Sequence, residues 1–409
     1  MKIAIVGGGA AGMMASGYAS SLGADVFLFE KNPKLGKKLM ITGKGRCNLT
    51  NNTSVNEVIE NVTKNNRFLY SAINYFTPSD TMSFFEDLGV PLKTERGNRV
   101  FPVSDKASDI VKALEKYVRN NNVKVINEKV TDILCKGQSV VGVSAAGREY
   151  SFDRVILATG GFSYPLTGSD GDGYRISQRL GIPVTPVSPS LVPLETVEDW
   201  CSALQGLSLK NVSLKAYDVN KPEKILYNDF GEMMFTHFGV TGPMILSLSA
   251  HLKSIVPGKY KCSIDLKPAL DEERLDRRLL SDFTKYSNRN YSNALADLLP
   301  SKMIPVFVRL SGIPEDKKVN SLTRDDRHSI LKLLKNFQFT IKRTRPIEEA
   351  IITSGGVDVS SISPQTMESK IIKGLYYAGE IIDVDAYTGG FNLQIAFSTA
   401  RLAANAAVQ

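Results

Sequence analysis

The chain has 409 residues, of which 43% are hydrophobic and 22% charged, with a formal net charge of +8 and an isoelectric point near 9.1. This is ordinary globular composition, and the length suits two or three domains. The positive balance fits an anionic cofactor or substrate. The Lys and Arg residues are spread along the chain and form no single tract, so nucleic acid is not the favoured partner.

Membrane spans, secretion and metal sites are not expected. No apolar run approaches the roughly 20 residues of a membrane span. The first residues lead directly into a strand and a glycine turn, which predicts a soluble, cytoplasmic protein. The cysteines form no C-x-x-C pair and the histidines share no metal-ligand spacing, so we predict no metal and no disulfide framework. These residues are Cys47, Cys135, Cys201, Cys262, His237, His251 and His328.

The chain opens with a βαβ pattern. KIAIVG is a buried strand, AAGMMASGYASSLG a helix and DVFLFEK a second strand. Short β segments follow in VKVINEKVTDILC, VVGVSAAG and REYSFDRVILATGG, and the last ends in a glycine pair. This half of the protein is predicted to extend to about residue 190.

The pattern changes from about residue 191. Short alternating segments such as LSLKNVSLKAYD and YKCSIDLKP predict a small inserted β-barrel or sandwich. Apolar residues at helical spacing predict a helical insert over 268–340. The last helix, NLQIAFSTARLAANAA, returns the chain to the α/β domain.

Three glycines at the start of the chain predict a dinucleotide site. Gly7, Gly9 and Gly12 form G-x-G-x-x-G between a strand and a helix, where an anion can lie on the helix N-terminus. Glu30 ends the next strand, about 20 residues on, where it can accept hydrogen bonds from ribose hydroxyls. A structural glycine turn and a solvated carboxylate are the plainer alternatives.

Further glycine-rich elements favour FAD over NAD. ATGG at 158–161 and YYAGEIIDVDAYTGG at 376–390 both follow strands far downstream. A long FAD molecule across the sheet needs such elements, with Asp383 available to the ribitol hydroxyls. The amides from Asn392 to Gln394 could then face the flavin pyrimidine ring.

The segment 34–51, KLGKKLMITGKGRCNLTN, is basic and glycine-rich. Such a loop can lie along an anionic cofactor, so we predict flavin contact. The alternative is an ordinary basic surface loop.

The motifs together resemble one known family. They are GGGAAGMMAS, GKKLMITGKGRCNLTN, ATGGFSYPLTGSDGDGY, GEMMFTHFGVTGPMILSLS and ITSGGVDVSSISPQTMESKIIKGLYYAGEIIDVDAYTGGFNLQIAFSTA. The chain resembles the aminoacetone oxidase-like and bile-acid-pathway family of bacterial FAD-dependent oxidoreductases, from residue 1 to about 402. It departs from many relatives at Ile182, where they resemble Gly-His, and in the last helix, which lacks their glycine.

The resemblance implies a fold and domain boundaries. It implies an α/β, FAD-binding Rossmann-like domain of the glutathione-reductase type with an inserted β-barrel and a small helical subdomain. The FAD-binding domain then comprises 1–190 and 356–409, the barrel 191–267 and 341–355, and the helical insert 268–340.

The residues predicted to bind non-covalent FAD come from four of the five family motifs, from the end of the second strand and from the start of one β segment. They are Gly7, Gly9, Ala10, Ala11, Gly12, Glu30, Lys31, Lys37, Lys38, Thr42, Gly43, Gly45, Arg46, Cys47, Asn48, Val130, Ala158, Thr159, Gly160, Gly161, Gly379, Glu380, Asp383, Gly389, Gly390, Asn392, Leu393 and Gln394.

The reaction is less well defined by the sequence. We expect hydride transfer between a small organic substrate, an amine or an activated C=C or C=O compound, and flavin, with O2 or NAD(P)H closing the cycle. His237 is a candidate for proton transfer and Cys47 for a thiol facing the flavin. A histidine satisfying a barrel turn and a small packed residue are the alternatives. The rival function is an FAD-containing, RNA-modifying protein. The sequence leaves the oligomeric state open.

Overall fold

The computed structural model describes residues 1–409 and separates them into two units. The first unit comprises Met1–Ser190 and Pro346–Gln409, and the inserted unit comprises Leu191–Arg345. Each is described by itself.

The first unit is built on a five-stranded sheet in which every strand pair is parallel. Its spatial order is Leu375–Tyr377, Arg154–Leu157, Lys2–Val6, Asp25–Phe29 and Lys124–Ile126. The central strand is buried from Ile3 to Val6, as expected for a parallel strand covered on both faces. The predicted α/β class with a Rossmann-like sheet is confirmed.

Smaller sheets surround this core. A three-stranded antiparallel sheet contains Val130–Lys136, Ser139–Ala145 and Arg148–Ser151, and a second contains Thr50–Asn51, Leu92–Glu95 and Arg99–Pro102. Ser188–Ser190 pairs with Ile352–Ser354.

The α-helices of the first unit are Ala10–Ser21, Val55–Glu60, Tyr70–Tyr75, Pro78–Asp87, Ala107–Asn120, Asp172–Arg179 and Phe391–Val408. Short 3-10 helices are Leu39–Gly45, Asn66–Leu69, Pro165–Thr167, Ile347–Glu349, Val359–Ser361 and Gly379–Ile381. The C-terminal helix, Phe391–Val408, buries Ala400, Ala403 and Ala407 completely, so its small residues allow close packing. No helix of the protein combines the length and apolar character that a membrane crossing requires.

The inserted unit is a closed six-stranded barrel, which confirms the barrel prediction. Its strands in spatial order are Leu194–Thr196, Gly239–Thr241, Lys221–Phe235, Ser208–Asp218, Tyr260–Asp265 and Phe337–Thr344. Alternate residues point inward, so Leu214, Ile264 and Phe337 fill the interior.

The helices of the inserted unit follow mainly between its last two strands. The α-helices are Trp200–Ala203, Pro243–His251, Glu272–Lys285, Tyr291–Ala294, Ile304–Ser311 and Arg324–Lys335, and the 3-10 helices are Leu295–Asp297, Ser301–Met303 and Val319–Ser321. Asp271 and Thr323 cap two of the longer helices through their side chains.

The structure moves two of the predicted boundaries. The segment 346–355, assigned to the barrel from the sequence, belongs to the first unit because Ile352–Ser354 pairs with Ser188–Ser190. The last barrel strand begins at Phe337, inside the segment predicted to be helical to 340. The segment FQFTI follows a helix without a turn signal, but it alternates buried and partly buried residues with a period of two and forms a strand.

Candidate functional site

The glycine turn joins the central strand to the helix Ala10–Ser21. Gly7 has φ +106°, and a Cβ there would lie 2.5 Å from the carbonyl oxygen of Ala158. A Cβ at Gly12 would lie 1.7 Å from the carbonyl oxygen of Gly7, so only glycine lets the helix approach this closely. At Gly9, by contrast, no protein atom lies within 4 Å of an added Cβ.

The helix N-terminus at this turn suits an anion. Gly9 is the N-cap residue, no side chain caps the helix, and its first turn contains no acidic residue. The first amides of a helix have no partner within the helix, and its dipole favours negative charge there.

Glu30 lies beside the turn and is only 9% exposed. One carboxylate oxygen accepts a hydrogen bond from Gly8 N at 2.7 Å, and the other accepts from Asn32 N and Nδ2, also at 2.7 Å. Its carboxylate is therefore fixed at the strand end and is not a freely solvated group.

The second glycine element passes close to the first. A Cβ at Gly7 would lie 3.0 Å from the Cα of Thr159, so ATGG at 158–161 adjoins the glycine turn. The hydroxyl oxygen of Thr159 is buried without a hydrogen-bond partner. Buried polar atoms are almost always paired, so this oxygen is available to a bound group.

Most of the basic residues predicted to contact FAD hold protein groups. Lys31 Nζ donates to Asp170 at 2.7 Å and Asp172 at 2.8 Å, and Lys37 Nζ donates to the carbonyl oxygen of Leu166 at 2.6 Å. The sequence could not foresee these partners, because they lie more than a hundred residues away. Direct contact of Lys31 and Lys37 with FAD stays a prediction.

Asp172 is the centre of this charged network. Burial opposes its ionisation, but hydrogen bonds from Lys129, Lys31 and Arg175 hold the pKa of its carboxyl well below the usual range. Asp170 and Asp172 belong to the motif GSDGDGY, but nothing in the sequence alone pointed to a role for them.

The side chain of Arg46 is also held by other groups of the protein. Its guanidinium pairs with Glu95 and with Asp105 and lies 4.1 Å from the ring centroid of Phe101. These interactions fix the segment 34–51 to the strands Leu92–Glu95 and Arg99–Pro102.

Lys38 and Glu380 are brought together from distant motifs. Lys38 Nζ donates to Glu380 Oε2 at 2.5 Å and to Ser163 Oγ at 2.7 Å. Glu380 Oε1 accepts from Ser163 Oγ and from Thr353 N, each at 3.0 Å. One polar cluster therefore joins three motifs. Lys38 comes from the segment 34–51, Ser163 from the motif that begins with ATGG, and Glu380 from the last motif.

Asp383 and Asp385 are buried carboxyls with different partners. Asp383 pairs with Lys64 Nζ at 2.6 Å and accepts from Asn65 Nδ2. Asp385, which the sequence analysis did not single out, is 1% exposed and accepts from Ser190 Oγ at 2.8 Å and Ser354 Oγ at 3.1 Å. Burial raises the pKa of the Asp385 carboxyl.

The C-terminal helix begins directly after the last glycine pair. Gly390 is its N-cap with φ +98°, and a Cβ there would lie 2.2 Å from the carbonyl oxygen of Thr50. In the amide orientation that satisfies its neighbours, Asn48 accepts from Gly390 N at 3.0 Å and donates to the carbonyl oxygen of Thr50. The segment 34–51 thus contacts the start of this helix.

The polar side chains at the start of the helix serve the fold. Asn392 accepts from Ala386 N and donates to its carbonyl oxygen. Gln394 is fully buried, accepts from Thr50 Oγ1 at 2.6 Å and donates to the carbonyl oxygen of Phe76 at 2.9 Å. Because the side chains of Asn392 and Gln394 are hydrogen-bonded within the protein, we expect this turn to contact the flavin through its backbone amides.

The two catalytic candidates, Cys47 and His237, have different surroundings. Cys47 is fully buried, and burial raises the pKa of its thiol to about 12, so it stays a neutral thiol near pH 7. This favours the packing interpretation that the sequence left open. His237 is exposed in the turn between Lys221–Phe235 and Gly239–Thr241, with its ring centroid 5.0 Å from that of Phe238.

The remaining predicted contacts lie in the first unit. Val130 begins the strand Val130–Lys136 and is buried. Gly379 begins a 3-10 helix, and a Cβ there would lie 2.9 Å from Cβ of Ala11. The N-terminal and C-terminal motifs are therefore in contact at this point.

These residues fit FAD. An uncapped helix start, an unpaired buried hydroxyl at Thr159 and a fixed carboxylate at Glu30 match a pyrophosphate and a ribose. The individual contacts with FAD that the sequence predicts remain predictions.

Comparisons with known proteins agree with this site. A family model described as the HI0933-like protein Rossmann domain matches residues 1–406. A relative from Clostridium scindens, named 3-dehydro-bile acid delta(4,6)-reductase, is 31% identical and is aligned over 100% of this chain and 99% of its own length. A ribosomal RNA dihydrouridine synthase from Escherichia coli is 29% identical, with 97% and 95% covered.

A solved structure shares the fold. The 3-ketosteroid delta1-dehydrogenase from Sterolibacterium denitrificans matches with a TM-score of 0.52 at 12% sequence identity, over 99% of both chains. With the family match and the site described above, the chain is an FAD-dependent oxidoreductase. It belongs to the HI0933-like protein Rossmann-domain family, as the resemblance of its motifs predicted.

Proposed function

We propose that this protein reduces a carbon–carbon double bond conjugated to a carbonyl group, in a small organic substrate. The observation that carries the proposal is the full-length match to the delta(4,6)-reductase, which spans both the first and the inserted unit. A 3-dehydro compound with double bonds at positions 4 and 6 has them conjugated to its ketone.

The other relative supports the same bond class. Dihydrouridine differs from uridine by two hydrogens across a ring double bond that is conjugated to a carbonyl. Both relatives are therefore named for reducing a polarised C=C bond. Amine oxidation, which the sequence left open, has weaker support, because an L-aspartate oxidase from Pyrococcus furiosus is 25% identical over only 48% of this chain.

The chemistry needs a hydride at one carbon and a proton at the other. Bound reduced FAD supplies the hydride. The protein's residues hold the cofactor through the glycine turn and Glu30 and provide the proton. Cys47 is a poor proton donor near pH 7 because its pKa is about 12. His237 is the candidate that remains.

We infer that NAD(P)H reduces the flavin by transient docking. The chain has one G-x-G-x-x-G after a strand, and FAD takes that site. A second permanent dinucleotide site therefore has no sequence support.

Anaerobic stopped-flow absorbance tests the proposed reaction. Holoprotein reduced with NADH or NADPH is mixed with a 4,6-dien-3-one steroid, and the return of the oxidised flavin band is followed. A steroid with an isolated double bond is the matched control substrate. We expect reoxidation by the dienone alone. Reoxidation by neither compound, together with flavin reduction by amines, contradicts the proposal.

Two histidine variants test the proton donor. His237→Ala should slow the dienone reaction by roughly 10²-fold, the lower end for loss of a general acid. His328→Ala, also exposed in the inserted unit, is the matched control and should react like wild type. Equal rates for both variants remove His237 from the mechanism.

Uridine in ribosomal RNA is the second candidate substrate, favoured by the 29% identity to the dihydrouridine synthase. Unmodified ribosomal RNA is the third arm of the same stopped-flow experiment. This candidate is supported if RNA reoxidises the flavin, mass spectrometry detects dihydrouridine in the RNA, and the dienone does not react.

A further inference from the structure

Asp385 is a buried carboxyl group without a cation, inside the last FAD motif. It is 1% exposed, and the ammonium group of Lys64 pairs with Asp383 at 2.6 Å instead. A carboxyl group that is buried without a cation costs stability, because burial opposes its charged form. Groups of this kind are concentrated at functional sites, and the proposed reaction leaves Asp385 without a role.

Hydroxyl groups from two strands hold this carboxyl group. Ser190 Oγ lies 2.8 Å from Asp385 Oδ2, and Ser354 Oγ lies 3.1 Å from Oδ1. A hydroxyl donates to an ionised carboxylate and can also accept from a protonated carboxyl group, so this arrangement suits both forms. Ser354 is partly exposed and Ser190 is 2% exposed, so the hydroxyl of Ser354 is the more accessible of the two.

The other buried carboxylates of the first unit have partners that suit only the ionised form. Lys64 Nζ and Asn65 Nδ2 face Asp383, and backbone and side-chain N–H groups face Glu30. Ammonium and amide N–H groups donate hydrogen bonds and cannot accept them. The surroundings of Asp385 therefore allow it to gain and lose a proton, and those of the other two do not.

Burial and charge set the balance between the two forms of Asp385. Burial raises the pKa of its carboxyl group, and the carboxylate of Asp383 adds to this effect. The hydrogen bonds of the two serines and of Thr63 act in the opposite direction and favour the ionised form. The cation on the segment that contains Thr63 is Lys64, which faces Asp383. One further negative charge nearby shifts this balance towards the protonated form.

Asp385 stands in the chain between predicted contacts with FAD. Asp383 precedes it, and Gly389 and Gly390 follow it at the start of the C-terminal helix, where we expect the flavin pyrimidine ring. Bound FAD gains negative charge at this ring when it is reduced. The charge therefore develops in the part of the cofactor that this motif is predicted to contact.

We propose that Asp385 takes up a proton when the bound FAD is reduced, and so offsets the negative charge that reduction places on the cofactor. The reductant of the catalytic cycle supplies two electrons, one proton goes to the flavin, and a second proton goes from solvent to the Asp385 carboxylate by way of the Ser354 hydroxyl. The second proton returns to solvent when the flavin is reoxidised. The inference does not rest on the proposed substrate, because Asp385 acts on the charge of the cofactor.

Spectroelectrochemical titration of the FAD-loaded full chain at a series of pH values tests the inference. The slope of the midpoint potential against pH counts the protons that are taken up per two electrons. In the pH range where Asp385 is ionised in the oxidised protein and protonated in the reduced protein, wild type should take up about one proton more than Asp385→Asn.

Asp282→Asn is the matched control. Asp282 is also buried, at 5% exposed, but it pairs with Arg278 at 2.8 Å within the inserted unit. Its partner keeps it ionised in both redox states. Asp282→Asn should therefore show the wild-type slope at every pH.

Ser190→Ala/Ser354→Ala provides a second test, which keeps Asp385 itself. This double variant removes two hydrogen bonds that favour the ionised form. The pH range of the additional proton uptake should therefore move to higher pH.

Two results overturn the inference. One is the same slope for wild type and Asp385→Asn at every pH, and the other is an equal loss of slope in Asp385→Asn and Asp282→Asn. If Asp385→Asn binds no FAD, an unmoved pH range in the double serine variant overturns the inference in their place. None of these titrations contains substrate, so failure of the dienone assay leaves their readings unchanged.

Discussion

Glu30 and Asp385 are both buried carboxyl groups of the first unit, but their surroundings differ. Glu30 accepts backbone amide hydrogen bonds beside the glycine turn, whereas Asp385 accepts from two serine hydroxyls and has no cation partner. Burial without a cation opposes the charged form of the Asp385 carboxyl and raises its pKa. The two residues are therefore expected to respond differently to substitution.

Glu30→Ala should weaken FAD binding by about 1 to 3 kcal/mol, the range for a lost charged hydrogen bond. The loss includes the freed amide of Gly8, which now has no acceptor. Titration of apoprotein with FAD by fluorescence measures the effect. Asp25→Ala, at the other end of the same strand and paired with Lys124, is the control. Equal dissociation constants for the two variants contradict the assigned role.

Asp385→Asn should stabilise the protein at neutral pH. The folded-state pKa of Asp385 is raised, so the folded protein binds this proton more tightly than the unfolded chain does. The stabilisation from protonation is present below the unfolded pKa and is lost as pH rises through the folded pKa. An asparagine at this position carries no charge at any pH, so the variant does not lose this stabilisation as the pH rises.

We expect the Tm of Asp385→Asn to exceed that of wild type by about 2 °C or more at pH 7. The difference should shrink below about pH 4, the ordinary range of Asp. The exposed Asp87→Asn is the control. A constant difference across this pH range contradicts the assignment of the effect to titration of Asp385.

At the scale of elements, the glycine turn combines two kinds of glycine. Gly12 is required by the contact of the helix Ala10–Ser21 with the strand end, because its Cβ would collide with the backbone of Gly7. Gly9 has no such neighbour in the protein. The fold therefore requires Gly12, as it requires Gly7, whereas Gly9 is left for the ligand to explain.

Gly9→Ala should leave the stability of the apoprotein within about 1 kcal/mol, the cost of Ala at an N-cap. It should nevertheless weaken FAD binding more than tenfold, because the added methyl lies where the pyrophosphate approaches the amides. Gly12→Ala should destabilise the apoprotein itself. Thermal melts of both apoproteins, with FAD titration of Gly9→Ala, separate the two effects. Unchanged FAD affinity in Gly9→Ala places the pyrophosphate elsewhere.

At the scale of the whole molecule, the chain leaves the first unit once and returns once. Ser188–Ser190 pairs with Ile352–Ser354 within the first unit, and Leu194 pairs with Thr344 within the inserted unit. The outgoing and returning segments run side by side in each unit. All glycine motifs predicted to bind FAD lie in the first unit.

Replacing residues 191–345 with a short Gly/Ser linker should therefore leave FAD binding within about tenfold of wild type, a difference of about 1.4 kcal/mol. The same protein should not turn over substrate, because it lacks the inserted unit. Flavin content after purification and the dienone assay measure the two properties. A soluble, folded product without FAD would show that the inserted unit is needed for cofactor binding.

Glycine spacing and strand pattern determined the cofactor-binding half from the sequence. The positions of Gly7, Gly9 and Gly12 between strand and helix are set by local backbone sterics, which contiguous residues encode. The parallel sheet followed from periodicity for the same reason, whereas periodicity left a barrel or a sandwich open and only the family resemblance implied the barrel. The boundary near 346 was missed because pairing of Ile352–Ser354 with Ser188–Ser190 is a contact between distant segments.

Only the tertiary structure decided what the polar side chains contact. Lys38 meets Glu380, Arg46 meets Asp105, and Cys47 is buried, although all three stand in a segment that resembles a cofactor loop. Ion pairs, burial and surface charge depend on which distant residues the fold makes neighbours, and no local pattern records that.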